Sequence, residues 1–136
     1  MDPARFAERF KRLRSWEDRY RYLIQMGRKL PPFPDEERID ANLVPGCMSR
    51  VWMVPDPRDD GTLGFLADSD AHIVKGLIAV LLSVYDGKTP EEILDTDVEG
   101  LFEDLELGQH LSANRRNGFY SMNQKIREYA RAVAAM

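Results

Sequence analysis

The chain has 136 residues and a formal net charge of −4, and 43% of its residues are hydrophobic while 31% are charged. This composition excludes a disordered chain and predicts a single domain, residues 1–136, with one buried core. An acidic protein lacks the basic excess of a phosphate-binding surface, so we expect no nucleic acid partner. The most apolar window, Ile73 to Tyr85, is too short to span a bilayer, so we expect no membrane association.

The sequence contains one cysteine, Cys47, and two histidines, His72 and His110. A single cysteine cannot form an internal disulfide, and these three side chains are a poor ligand set for a structural zinc site. The N-terminal segment carries charges throughout and has no apolar stretch of the signal-peptide type. We therefore expect a cytoplasmic protein, because a lone thiol stays free in that reducing compartment.

Two helices are predicted at the start of the chain. Asp2 as N-cap and Pro3 at the first helical position begin the first helix. Its apolar residues recur at helical spacing: Phe6, Phe10 and Leu13. Ser15 followed by Asp18 resembles a capping box for the second helix, and the prolines at 31–32 stop it.

A β-hairpin is predicted in the middle of the chain. Residues 31–46 carry four prolines and many charges, which indicates an irregular connection. Strand-like segments follow at residues 50–54 and 62–67, and the Pro-, Asp- and Gly-rich residues 55–61 between them are typical of a turn. The two strands are therefore expected to pair in an antiparallel hairpin.

The C-terminal half is predicted to be helical. Ser69 or Asp70 is expected to cap a buried helix from Ala71 to Tyr85, which Gly87 ends. Further helices are predicted to begin at polar capping residues: Thr89, Asp97, and either Ser112 or Asn114. Because the strands precede the main helices, we expect an α+β fold with several helices packed on a small antiparallel sheet.

The residues around Cys47 leave two interpretations open. A free cysteine is often a small buried side chain with no reactivity. However, Cys47 lies between a Pro45-Gly46 turn and a strand, and Arg50 nearby could favour its thiolate. No histidine is adjacent in the sequence, so a hydrolytic Cys-His site has little support. A thiol that only exchanges sulfur needs less machinery.

Three segments then occur in order: VPGCMSRVW at 44–52, ADSDAHIVKGLIAVLLSVYDGKTPEEIL at 67–94 and QHLSANRRNGFYSM at 109–122. Together they resemble the SufE family, which includes CsdE, and the similarity runs from about Phe10 to Tyr129. SufE proteins accept sulfur from cysteine desulfurases during iron–sulfur cluster assembly. The resemblance implies an α+β fold similar to IscU, with a small antiparallel sheet covered by helices, and it implies no bound cofactor and no metal.

The resemblance also implies roles for individual residues. Cys47 matches the sulfur acceptor, which becomes a persulfide by attacking the persulfide of a pyridoxal-phosphate-dependent desulfurase and then passes the sulfur to a SufBCD-type scaffold. The desulfurase is of the SufS or CsdA type, and Arg115 is implied in contact with it. Support of the loop or of the partner contact is expected from Gly46, Ser49, Arg50 and Asp70. Met48 stands where the family commonly has glutamine.

Two other functions compete with sulfur transfer. The first is a stand-alone one-cysteine thiol enzyme such as a peroxidase, in which Arg50 would lower the pKa of Cys47. The second is a non-catalytic helical interaction module with an inert, buried cysteine. These alternatives differ in the accessibility and acidity that they require of the thiol.

Overall fold

The computed structural model describes residues 3–47 and 49–136, and for residue 3 it describes the backbone alone. It is the predicted α+β fold, and its elements run in this order: α1 (Pro3–Arg12), α2 (Trp16–Arg28), β1 (Val51–Pro57), β2 (Leu63–Ser69), α3 (His72–Tyr85), α4 (Pro90–Leu94), α5 (Val98–Asp104), α6 (Leu107–His110) and α7 (Ala113–Ala134). Two 3-10 turns, Asp35–Glu37 and Asp40–Asn42, lie in the otherwise irregular connection between α2 and β1. The N-cap predicted at Asp2 and the substitution at Met48 lie outside the described residues.

The first two helices form as predicted. Phe6 and Phe10 are buried on one face of α1, while Leu13 lies just beyond its end and is half-buried. Ser15 caps α2, because its Oγ accepts a hydrogen bond from the Asp18 N–H at 3.1 Å. The helix ends at Arg28, before the prolines that cannot continue it.

The hairpin is present, but its strands are longer than predicted. β1 and β2 pair antiparallel from Val51–Ser69 to Pro57–Leu63, and the turn is confined to residues 58–62. The prediction that the turn begins at residue 55 was therefore wrong, because Pro55 and Pro57 belong to β1. Proline is tolerated there because β1 lies at the edge of a two-stranded sheet.

The central helix is α3, and most of its residues are buried. The prediction that Ser69 or Asp70 caps it was wrong, because its N-cap is Ala71, which makes no side-chain capping bond. Ser69 is the last residue of β2, and its Oγ accepts the Ala71 N–H at 3.2 Å. After the helix, Gly87 adopts a φ of 77°, a left-handed conformation that ends the helix as predicted.

The predicted caps of the later helices are confirmed. Thr89 forms a complete capping box with Glu92 at the start of α4, and Asp97 accepts the Gly100 N–H at the start of α5. Ser112, not Asn114, caps α7, since its Oγ accepts the Arg115 N–H at 3.3 Å. Within residues 3–47 and 49–136, none of the helices combines the length and the apolar character needed to cross a bilayer.

A continuous hydrophobic core joins all parts of the fold. It contains buried side chains from α1, α2, the hairpin, α3 and the C-terminal helices, the largest of which are Tyr85, Phe6, Phe10, Phe102 and Phe119. α3 packs closely on α2, and α7 packs on α3 and α4. This packing places the N-terminal ends of α3 and α7 beside the loop that precedes β1.

Candidate functional site

Cys47 lies at the tip of a short loop whose two ends are joined. The Val44 N–H donates a hydrogen bond to the Val51 carbonyl at 2.8 Å, and Leu43 pairs with Trp52 in an antiparallel bridge. These contacts join the two ends of the segment formed by residues 45–47 and 49–50, which we call the Cys47 loop. Gly46 in this loop has a φ of 82°, and a Cβ placed there would lie 2.9 Å from the Ser121 Oγ. Its left-handed backbone conformation therefore favours glycine.

Asp70 holds the C-terminal end of the Cys47 loop. Its carboxylate accepts the Arg50 N–H at 3.2 Å, and its own N–H donates to the Arg50 carbonyl at 3.3 Å. This reciprocal pairing continues the hairpin ladder by one step beyond Val51 and Ser69. Arg50 and Asp70, two of the predicted site residues, thus lie side by side. The backbone of Arg50 bonds both the carboxylate and the N–H of Asp70.

The thiol of Cys47 rests against α7. Its Sγ donates to the Gly118 carbonyl at 3.7 Å, and a Cβ placed on Gly118 would lie 3.4 Å from that sulfur. Gly118 is buried within the helix, where glycine is less favourable than alanine by about 1 kcal/mol. A Cβ at this position would still make an ordinary van der Waals contact with the sulfur, so the thiol is placed by the Gly118 backbone carbonyl. Sequence reasoning did not single out Gly118, although it closes the motif that contains Arg115.

A cavity of about 150 Å³ adjoins the thiol. Three of the predicted site residues line it, namely Cys47, Ser49 and Arg115, whereas Gly46, Arg50 and Asp70 do not. The remaining lining is apolar on the side of β1, α3 and α7 and polar at the start of α7: Val51, Val74, Leu77, Met122, Gly118, Ser112 and Asn114. All three segments that carry the resemblance therefore contribute to this one cavity.

The environment of Cys47 suppresses its ionisation in the resting structure. The side chain is half-buried, and this burial raises the pKa of the thiol because a thiolate would lose hydration. The expected lowering of that pKa by Arg50 is not seen, and Arg50 itself is exposed. The resting thiol is therefore protonated at neutral pH and weakly nucleophilic.

Neither histidine lines the cavity beside the thiol. His110 is the last residue of α6, and its ring stacks on Trp16 with 3.7 Å between ring centroids. His72 begins α3 and is exposed. Among the residues that the structure describes, no cluster of histidine, cysteine, aspartate or glutamate side chains could hold a metal ion. The site thus consists of a half-buried thiol that contacts α7 and borders a small cavity.

Comparisons with known proteins give a family and a fold for this chain. A family model described as "SufE: Fe-S metabolism associated domain" matches residues 4–130. A solved structure, described as the solution structure of a hypothetical protein from Thermus thermophilus, has the same fold, with a TM-score of 0.78 at 21% sequence identity. That match covers 100% of each chain, and at this identity it supports the fold alone.

Proposed function

Because the chain belongs to the SufE family, whose domain is associated with Fe–S metabolism, we propose that it is a sulfur acceptor acting through Cys47. The sulfur comes from a pyridoxal-phosphate-dependent cysteine desulfurase of the SufS or CsdA type, which the protein stimulates. It then goes to an iron–sulfur scaffold of the SufBCD type. In this proposal the protein is an accessory of sulfur transfer in the cytoplasm. The observation that carries the proposal is the thiol at the tip of a short loop, seated against the other two family segments.

The proposed chemistry is a thiol–persulfide exchange. The Cys47 thiolate attacks the terminal sulfur of the desulfurase persulfide, the sulfur–sulfur bond of that persulfide breaks, and the desulfurase cysteine leaves as a thiolate. A new sulfur–sulfur bond forms on Cys47, so no external oxidant or reductant is needed. The proton lost by Cys47 is balanced by the proton that the departing thiolate takes up.

The buried position of the Cys47 thiol is consistent with a thiol that reacts only after docking. In the cavity the thiol is protonated because burial raises its pKa. Movement of the loop towards a partner would remove this burial, and the pKa would fall towards that of an exposed cysteine. Unproductive reaction of the thiol with oxidants in solution is slowed by the same burial.

The surrounding residues have separable roles in this proposal. Gly46 supplies the left-handed backbone conformation at the start of the loop, and Asp70 fixes its end through the Arg50 backbone. Ser49 lies on the cavity wall, where its hydroxyl can face the outer sulfur of a persulfide. Arg115, half-buried at the start of α7, borders the cavity and provides positive charge towards the persulfide or the desulfurase.

The competing functions are less well supported by this geometry. A one-cysteine peroxidase needs a thiolate at neutral pH, whereas burial here raises the thiol pKa. An inert core cysteine would be fully enclosed, whereas Cys47 is half-buried at a loop tip and borders a cavity. This geometry therefore supports the sulfur acceptor better than either competing function.

The test is to incubate the protein with a cysteine desulfurase and free cysteine. We expect a mass gain of one sulfur atom on the peptide that contains Cys47, and faster sulfide release by the desulfurase in the presence of a reductant. Cys47→Ser should still fold and bind the desulfurase but should give no stimulation, because a hydroxyl does not attack a persulfide under these conditions.

A matched control is Ser121→Ala, which alters a residue beside the loop but leaves the thiol in place. We expect this variant to stimulate the desulfurase nearly as well as the wild type. Full stimulation by Cys47→Ser, or sulfur found elsewhere than on Cys47, would show that the proposed mechanism is wrong.

A further inference from the structure

A cluster of charged and aromatic side chains lies at the base of the Cys47 loop, outside the cavity. The Arg38 guanidinium donates to the Asp68 carboxylate, and its Nε also reaches the Asp35 carboxylate at 3.0 Å. The same guanidinium lies over two aromatic rings, 5.3 Å from the Phe33 centroid and 5.4 Å from the Trp52 centroid. We call Arg38, Asp68, Phe33 and Trp52 the Arg38 clamp.

Asp68 is the buried end of this clamp. Its side chain is only 13% exposed, and it faces a second cation, since the Lys75 Nζ lies 3.4 Å from its carboxylate. Burial alone would raise the pKa of Asp68, but the hydrogen bonds from Arg38 and from the Ser69 backbone, together with the charge of Lys75, outweigh it, so the pKa is lowered. Asp68 is thus ionised and holds Arg38 and α3 to the same point on β2.

The clamp joins the connection that precedes the loop to the hairpin that follows it. Trp52 pairs with Asp68 on one side and with Leu43 on the other. Arg38 directly follows the 3-10 turn Asp35–Glu37, upstream of Leu43, and its side chain contacts both Trp52 and Asp68. The Lys125 Nζ adds a contact to the Leu43 carbonyl at 3.4 Å. The N-terminal arm of the Cys47 loop is therefore attached to the sheet by the Arg38 side chain in addition to its backbone bonds.

We propose that Arg38 is a positioning residue for Cys47. By holding residues 35–44 against β1 and β2, it confines movement of the thiol to the Cys47 loop itself. Without this contact the whole N-terminal arm separates more readily from the hairpin, and the thiol leaves its cavity more often. The importance of this positioning for sulfur transfer rests on the proposed function. The effect of Arg38 on the accessibility of the thiol, however, can be measured without any partner.

The experiment measures the rate at which iodoacetamide modifies Cys47 in the native protein alone, at neutral pH. Arg38→Met retains most of the side-chain length but removes the ion pair and the cation–π contacts. We expect roughly tenfold faster modification than in the wild type. Arg38→Lys, which keeps a positive charge near Asp68, should restore an intermediate rate.

The matched control is Arg58→Met. Arg58 pairs with Asp86 at 2.8 Å, near the turn at the opposite end of the same hairpin. Its removal should leave the modification rate within about twofold of the wild type, although it also deletes an arginine–aspartate pair. Equal acceleration in the two variants would show that general destabilisation, and not the clamp, governs the thiol, and would overturn the proposal.

Two further measurements keep the test decisive. Asp68→Asn preserves the shape of the clamp but removes its negative charge, so it should accelerate modification even if Arg38→Met folds poorly. For each variant the rate is compared with the free energy of unfolding, because modification through global unfolding would scale with that quantity. A folded Asp68→Asn with a wild-type rate would overturn the proposal. Since no desulfurase is present, this result is independent of whether the protein accepts sulfur.

Discussion

At the scale of single residues, Cys47 shows how burial can keep a thiol at a loop tip protonated. The contact with the Gly118 carbonyl and the half-burial of the side chain both favour the protonated thiol. The hydrogen bond and the burial both depend on the position of the Cys47 loop. The protonation state of the thiol therefore depends on how deeply the Cys47 loop buries it.

The raised pKa of Cys47 predicts a pH dependence of stability. Below about pH 8.5, the ordinary value for a cysteine, the thiol is protonated in both states and contributes no difference. As the pH rises through that value the unfolded chain loses its proton first, so the free energy of unfolding falls until the folded thiol also ionises. Urea denaturation of the wild type from about pH 7 to 10 should show this decrease.

Cys47→Ser is the control for that measurement, because it lacks the titrating group but keeps all others. The difference between wild type and Cys47→Ser should change in the direction of lower wild-type stability above about pH 8.5. A difference that is constant over the whole range would mean that burial does not suppress ionisation of the thiol.

At the scale of elements, α2 and α3 approach each other through two glycines. A Cβ placed on Gly76 would lie 2.4 Å from the Leu23 carbonyl oxygen, and one placed on Gly27 would lie 2.7 Å from the Gly76 backbone nitrogen. In both cases the obstructing atoms belong to the backbone, which cannot move aside as a side chain can. The close contact of the two helices thus fixes α3, whose first turns line the cavity beside Cys47.

Gly76→Ala should be strongly destabilising for this reason. Because α2 and α3 would have to separate, we expect a loss of about 2–4 kcal/mol in the free energy of unfolding, measured by urea denaturation. Gly118→Ala is the matched control, a buried helical glycine whose added Cβ meets only the Cys47 side chain. It should stay within about 1 kcal/mol of the wild type, since alanine favours the helix. Equal losses in both variants would contradict the close-contact argument.

At the scale of the whole molecule, the core is continuous from α1 to α7. Phe6 is buried in α1 and stacks on Tyr22 of α2 with 5.7 Å between ring centroids, and the same core contains Ile126 of α7. A core connected in this way should unfold as one unit. This is the expectation for the single domain inferred from the sequence length.

Phe6→Ala tests that expectation. Removal of this ring should lower the free energy of unfolding by about 3–5 kcal/mol while the urea transition stays single and its slope unchanged. Ile39→Ala, at a residue that is 50% exposed, should change stability by no more than about 0.5 kcal/mol. A separate early transition for Phe6→Ala would indicate that α1 unfolds independently.

Features that depend on near neighbours in the chain could be predicted from the sequence. The caps at Ser15, Thr89 and Asp97 were predicted because each side chain bonds a backbone N–H three residues later. Asp70 was misassigned as a cap because its actual partner, the Arg50 backbone, lies 20 residues earlier in the loop before β1. For the same reason the seat of Cys47 at Gly118 could not be predicted from local spacing.

The candidate site likewise combines features that near neighbours in the chain determine with features that depend on distant residues. The residues alone left Cys47 undecided between a core side chain and a reactive thiol, and the family resemblance supplied its proposed role and that of Arg115. The contribution of Arg38 was missed because it requires Asp68 and Trp52 to lie side by side across the hairpin. Such pairing depends on strand register, which spacing in the sequence does not provide.

The two prolines of β1 have a consequence for the protein in crowded solution. The Val51 carbonyl receives the Val44 N–H on the outer edge of β1, so alternate residues from Val51 onwards direct their backbone groups away from β2. Pro55 and Pro57 fall in this outward series and carry no N–H. The exposed edge therefore lacks donors where an incoming strand from another molecule would need them, which protects a two-stranded sheet against edge-to-edge aggregation.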